Sequence, residues 1–470
     1  MSDDLGPADA REPSTRGPEL EPEHLTDLGN ARRFVRLCGT DVRYVSPLRK
    51  WIIWDGTRWA PDEVQRIYQL AKHVVAGIYA EAGFELEEAR RKPLAQHALR
   101  SESVRALEAM VRLAQSEATI PVLPEQLDED PWLLNCANGT LDLKTGALRP
   151  HRREDLITKL IPIAYDATAP CPTWLNFLDR VLDGRPALID FVQRAVGYSL
   201  TGSTTEQCLF VLWGSGANGK STFIVALTRV LAAYAATMDA NTLFARKNDD
   251  MAAKNDLATL AGIRFAAAME SDMGRRLAEA LVKQITGGDR VKVRRLYADP
   301  FEISPAFKIF LSTNHRPHIR GSDKAIWRRL RLIPFTVVIP DGEQDHRLLE
   351  TLATETPGIL AWAVRGCLVW QERGLEMPEE VRDATAAYRR DEDLLADFLA
   401  DRCIVDPMAS VAAADLRAAY VDWAEKVGEK PLSQKSLGGH LKECGFEQVR
   451  TGTLRGWVGV RLRRPMESIP

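Results

Sequence analysis

The sequence predicts an α/β protein built around a parallel sheet, and three observations lead there. From about residue 207 to 340, short apolar runs alternate with helix-patterned segments, the order of a sheet covered on both faces. The first run, Cys208–Trp213, leads into Gly214-Ser215-Gly216-Ala217-Asn218-Gly219-Lys220-Ser221, which fits the pattern G-x-x-x-x-G-K-[ST]. Past residue 395 the pattern changes to two amphipathic helices, about 412–427 and 433–444, then two short strand-like runs. That order predicts a C-terminal winged helix-turn-helix.

The 470 residues exceed what one core usually supports, so two to four domains are expected. Hydrophobic content of 45 % with 27 % charged residues is that of a globular protein. The net charge of −3 confines any nucleic-acid surface to local patches. Seven scattered cysteines without a C-x-x-C pair fit reduced thiols in a cytosol better than a disulfide framework or a zinc site, so a cytoplasmic setting is expected. No apolar run approaches the roughly 20 residues of a membrane span, so no membrane partner is expected.

In chain order, residues 1–28 hold eight acids, two arginines and four prolines, which predicts a disordered acidic tail. Residues 29–170 read as a mixed α/β domain. It has a hairpin around Trp51, Trp54 and Trp59, helices over about 63–82 and 86–116, and short strands joined by turns from Trp132 to Gly146. Residues 171–345 form the sheet core, 346–394 a helical connector and 395–470 the C-terminal domain.

The glycine-rich segment carries the clearest chemistry. A strand that turns sharply into a helix can present successive backbone N–H groups to phosphates, and glycine tolerates the torsions and the close approach. The helix N-terminus favours an anion. Gly214 through Thr222 are therefore the nucleotide-binding candidates, with Lys220 reaching the β- and γ-phosphates and Ser221 ligating Mg²⁺. ATP and Mg²⁺ are the implied cofactors.

Three further segments follow. Glu270 ends the apolar run Ile263–Met269 and is placed to activate water, with Asp272 as a second metal candidate in an incomplete acid pair. Asn314 ends the run Phe307–Thr313 and can meet the γ-phosphate or the attacking water. Trp327-Arg328-Arg329 supplies guanidinium groups that can stabilise a transferring phosphoryl group, whereas without the preceding motifs a basic surface turn would be the favoured reading. Between Glu270 and Asn314, Arg290, Lys292 and Arg294 alternate with valines and predict a hairpin with one basic face, whose Lys292, Arg294 and Arg295 are suited to gripping a phosphate backbone.

With these elements in order, the chain resembles the superfamily 3 helicases, and more closely the primase-helicase proteins of phages, satellite phages, plasmids and poxviruses. The resemblance spans residues 28–390. It rests on Gly214 to Ser221, Thr286-Gly287-Gly288-Asp289, Phe307 to Asn314 with Pro317, and Trp327-Arg328-Arg329 before Ile333-Pro334-Phe335. Upstream it includes Gly29-Asn30-Ala31, Trp54-Asp55-Gly56, and Asn138-Gly139 with Leu141-Asp142. It implies an AAA+-like hexameric ring with ATP between subunits, translocation 3′ to 5′ on single-stranded DNA, and Arg328 or Arg329 acting in trans. Because no acidic or zinc-binding primase signature precedes the helicase part, any primase is expected on a separate polypeptide.

Residues 431–464 carry seven Lys/Arg against two acids. Lys435, Lys442, Arg455 and Arg461 are the candidates for duplex contact there, and a basic partner-binding module is the competing reading. The expected function is an ATP-dependent DNA helicase of phage or prophage replication. The alternative is an ATP-dependent origin-binding or scaffold protein that does not unwind.

Overall fold

A computed structural model describes residues 23–245, 250–270, 275–294, 300–319, 324–392, 394–428, 431–451 and 454–463. Its contacts divide the chain into two compact units, one of residues up to 129 with 152–159, the other of 130–151 with 160–470.

In the first unit, helices Asp27–Cys38, Arg66–Phe84, Glu88–Ser101 and Val104–Ala114 accompany a four-stranded sheet. Phe34, Trp51, Ile53, Val74 and Met110 are buried together. The expected second helix, 86–116, is broken at Ser103, whose hydroxyl accepts from Ala106 N at 3.3 Å and caps a new helix. Residues 1–22 of the expected tail lie outside the described residues. Residues 23–28 are not free, because the buried Arg33 guanidinium donates to Glu23 O (3.0 Å) and His24 O (3.1 Å). Trp59, fully buried, donates from Nε1 to Arg153 O at 2.8 Å and so ties the segment 152–159 into this unit.

The second unit is organised by a parallel sheet. Its strands are β1 (Leu209–Trp213), β2 (Ala235–Met238), β3 (Phe265–Met269), β4 (Lys308–Thr313) and β5 (Leu330–Pro334), in the order β5-β1-β4-β3-β2. Strands β1 and β3 are apolar throughout because both faces of the sheet are covered there. Phe210 and Leu212 of β1 belong to one core with Trp174, Phe223 and Trp362, and Leu209 and Val211 to the other with Ile285 and Trp327. Helices Pro186–Leu200 and Thr356–Arg373 cross on glycines. A Cβ on Gly197 would sit 2.1 Å from Cys367 N, and one on Gly366 2.2 Å from Gln193 O.

The expected boundary at 170 is corrected. Strands Leu133–Cys136, Gly139–Asp142 and Ala147–Arg149 belong to the second unit, because Leu134, Cys136, Leu141 and Leu143 are buried in the same core as Trp174 and Phe191.

The C-terminal part runs helix Leu394–Arg402, strand Cys403–Ala412, helices Ala413–Lys426 and Gln434–Glu443, then strands Glu447–Thr451 and Leu454–Leu462. The strands form an antiparallel sheet with Leu454–Leu462 in the middle, over Phe398, Tyr420, Trp423 and Trp457. The first helix and first strand were not expected from the sequence. An irregular register between Val405 and Ser410, around Pro407, hides the strand's alternation. Among the described residues no helix is long and apolar enough to cross a membrane.

Candidate phosphate-binding site

β1 runs into the loop 214–219, and helix Lys220–Leu231 follows at once. Gly216 (φ 108°) and Gly219 (φ 82°) occupy the left-handed region, as does Ala217 (φ 46°). Space dictates glycine at 214, and space as well as torsion at 219. A Cβ on Gly214 would lie 2.1 Å from Phe335 O, and one on Gly219 2.6 Å from Val181 Cγ1. Ser215, Ala217 and Ser221 are exposed and Thr222 half-buried around the rim of this turn.

Lys220 is buried beneath the loop. Its Nζ donates to Gly214 O (2.7 Å), Asn218 Oδ1 (2.9 Å) and Asn314 Oδ1 (3.1 Å). Among the described residues these partners are all neutral oxygens, and burial lowers the ammonium pKa from 10.5 to about 8. Asn218, which the sequence pattern treats as a free position, is a strut. Its Nδ2 donates to Phe335 O at 3.0 Å, joining the loop to the end of β5.

The strand order brings three expected residues side by side. β4 lies between β1 and β3, so Asn314 follows the strand next to the glycine loop and Glu270 the strand beyond. Glu270 N donates to Ser312 O at 2.9 Å, and its Oε2 lies 3.1 Å from Thr313 Oγ1. Thr313 was not singled out from the sequence, where a hydroxyl at a strand end has no signature. Asp272 lies outside the described residues. Ser221 and Glu270 offer only oxygen donors, a set suited to a hard divalent ion that keeps water and phosphate ligands. Among the described residues no three His, Cys, Asp or Glu side chains cluster as a metal cage.

The two arginines diverge. Arg328 is exposed. Arg329 is buried, and donates to Thr286 Oγ1 (3.2 Å), Ala325 O (2.8 Å) and Gln207 Oε1 (3.4 Å). This corrects the expectation that either could reach a neighbouring subunit, since Arg329 is spent inside its own. The sequence also passed over Arg316. Its guanidinium stacks 4.8 Å from the ring centre of Trp213, the residue before the glycine loop.

The basic hairpin forms from antiparallel strands Val291–Arg294 and Pro300–Ile303. Val291 and Val293 are buried while Lys292 and Arg294 are exposed; Arg295 lies outside the described residues. Glu302 faces Lys292 across the pair and lies 3.7 Å from Arg290, tempering the positive face. In the C-terminal part Lys442 and Arg455 are exposed and Arg461 is half-buried. Lys435 lies on helix Gln434–Glu443, its side chain outside the description.

Two family models match the chain: one described as D5 N terminal like over residues 31–183, the other as a family of unknown function (DUF5906) over 212–329. The chain is similar to "Putative helicase L207/L206" of Acanthamoeba polyphaga mimivirus, 28 % identical over 60 % of this chain and 31 % of that one. "Putative helicase 022R" of Frog virus 3 is 24 % identical over 72 % of this chain and 43 % of the relative. "Putative primase C962R" of African swine fever virus is 23 % identical over 64 % of this chain and 34 % of its own length. The chain thus spans less than half of each of these curated relatives. In fold it is similar to the C-terminal region of NrS-1, with a TM-score of 0.52 at 11 % identity, covering 92 % of this chain and 99 % of that one.

Proposed function

The chain is a member of the primase-helicase family, superfamily 3 in type, and from that premise we propose that it is an ATP-driven DNA helicase. The observation that carries this is Lys220, a buried ammonium whose described partners are neutral oxygens, beneath a loop that opens onto a helix N-terminus. Such a cation gains most from an anion brought to it, and the β- and γ-phosphates of ATP are the fitting ligand.

In this reading the core is AAA+-like, with the glycine loop as its P-loop. Ser221 and Glu270 would hold Mg²⁺, which supplies charge to the phosphate oxygens when bound. Lys220 binds the terminal phosphates. Glu270, steadied by Thr313, orders the attacking water and accepts its proton, while Asn314 orients water and γ-phosphate. The exposed Arg328 serves the site of a neighbouring subunit in a homohexameric ring. Lys292 and Arg294 grip single-stranded DNA without reading its bases. The C-terminal order helix, strand, helix, helix, strand, strand is that of a winged helix, in which Lys442, Arg455 and Arg461 would meet duplex phosphates. The process is phage or prophage replication in a bacterial cytoplasm, with a primase or other replication proteins as partners.

The test is ATP hydrolysis with and without single-stranded DNA, beside unwinding of a tailed duplex. DNA-stimulated hydrolysis with unwinding is expected. Hydrolysis or binding without unwinding would favour the origin-binding scaffold, and no ATP binding would end the motor reading.

A further inference from the structure

The segment that follows Asn314 is held by three elements. His318 N donates to Arg275 O (2.8 Å) and Leu277 N to His318 O (2.9 Å), so the chain beyond Glu270 pairs with the chain beyond Asn314. Helix Glu379–Asp391 packs on the same segment: Tyr388 donates its hydroxyl to Pro317 O, and its ring lies 5.5 Å from the Arg316 guanidinium. The last residues before the C-terminal helices close the hold. Arg316 Nη1 pairs with Asp391 Oδ2 at 2.8 Å. The Glu392 carboxylate accepts from Ile319 N at 2.9 Å and lies 3.3 Å from His318 Nδ1.

We propose that Asp391 and Glu392 are positioning residues for the nucleotide site, tying turnover at Glu270 and Asn314 to the segment that leads into the C-terminal module. The inference rests on the ATPase reading above. Two acids just before residue 394 grip residues 316 to 319, which begin two positions beyond Asn314, and His318 of that stretch pairs through its backbone with Arg275 and Leu277. Arg316 adds the link to the glycine loop, because one of its faces lies over Trp213 while its Nη1 is held by Asp391. Neither acid makes a described contact with Lys220 or the loop 214–219, so they act through the loop that carries Asn314. A shift of that loop misplaces the groups that order water while leaving the phosphate cradle intact. The loss should therefore fall on kcat rather than on KM.

The experiment measures kcat and KM for ATP, with thermal unfolding, on the full chain and on the Asp391→Ala/Glu392→Ala double variant, with Asp391→Ala and Asp391→Glu as a matched pair. The expected result is about a tenfold loss of kcat in the double variant, with KM within about twofold and an unchanged melting temperature. Asp391→Glu, which keeps the charge on Arg316, should turn over several-fold faster than Asp391→Ala. Normal kcat in the double variant overturns the inference while the ATPase reading stands. So does a parallel fall of kcat, ATP affinity and melting temperature, which marks a merely structural role, or equal impairment by Asp391→Glu and Asp391→Ala. A wild-type chain that does not hydrolyse ATP overturns the enzymatic reading itself, and this inference with it.

Discussion

Arg329 donates through Nε to Thr286 Oγ1 at 3.2 Å, joining the Thr286-Gly287-Gly288-Asp289 and Trp327-Arg328-Arg329 motifs inside one subunit. Thr286 in turn donates to Val282 O at 2.6 Å, so the arginine anchors the last turn of the helix that precedes the basic hairpin. The two arginines should then separate cleanly by experiment. Arg329→Ala leaves the buried Thr286 hydroxyl and two half-buried acceptors without this donor and should cost about 2–4 kcal/mol, read by denaturant unfolding. Arg328→Ala should leave stability within about 0.5 kcal/mol and abolish hydrolysis. Mixed with Lys220→Ala subunits, it should recover part of that activity, and failure in co-assembled rings would remove the trans role.

Lys220 gives a pH signature. Its folded pKa of about 8 lies below the ordinary 10.5, so between those values the unfolded chain holds a proton that the folded chain has released. Stability of the nucleotide-free protein should rise with pH across that window and be flat with respect to this group below it. Lys220→Met should lack the rise. Phosphate beside the ammonium restores its charge, so at pH 8.5 nucleotide binding should take up part of a proton, measurable by calorimetry in buffers of different ionisation enthalpy. Absence of uptake would show that the anion sits elsewhere.

Lys292→Ala and Arg294→Ala should weaken single-strand binding without base preference, each flattening the dependence of log affinity on log salt by about 0.7. Basal hydrolysis and duplex binding should persist, because neither residue touches the glycine loop. A double variant that still unwinds at the normal rate would take the hairpin out of the motor.

Gly197→Ala tests the helix crossing. Its Cβ would meet the backbone of Cys367 at 2.1 Å, and backbone cannot swing aside as a side-chain end can. A destabilisation of about 2 kcal/mol or more is expected. Gly83→Ala is the control, since a Cβ there meets nothing within 4 Å and should be neutral or slightly stabilising.

What could be read from the sequence followed from how local each signal is. The glycine loop and the runs ending at Glu270 and Asn314 are short stretches whose apolar pattern and terminal residue carry the information, and the structure brings Lys220 and Asn314 within 3.1 Å. Arg328 and Arg329 could not be told apart, because the hydroxyl that takes up one of them is 43 residues away. The boundary at 170 failed for a similar reason. The hairpins from Leu133 to Arg149 alternate in the same way whichever core they cover, and only tertiary packing assigns Leu134 and Leu141 to the sheet unit. Strand Cys403–Ala412 stayed hidden because nine of its ten residues, Ile404 to Ala412, are exposed or half-buried and one of them is proline.

The interleaving of the two units sets a timetable for the chain as it leaves the ribosome. The first unit needs residues 152–159, so Trp59 waits 94 residues for Arg153, and it closes with 130–151 already synthesised but belonging elsewhere. Those 130–151 hairpins wait longer, since Asn135 N donates to Tyr234 Oη, 99 residues downstream. At about 5–20 residues per second this is a delay of roughly 5–20 s, during which the core that takes Leu134 and Leu141 is incomplete. The nascent chain therefore carries a partly apolar three-stranded segment with its core unfinished while its first unit is already complete. That interval is when a holding chaperone would find its grip, and when a pause or a premature stop between residues 160 and 234 would do most harm.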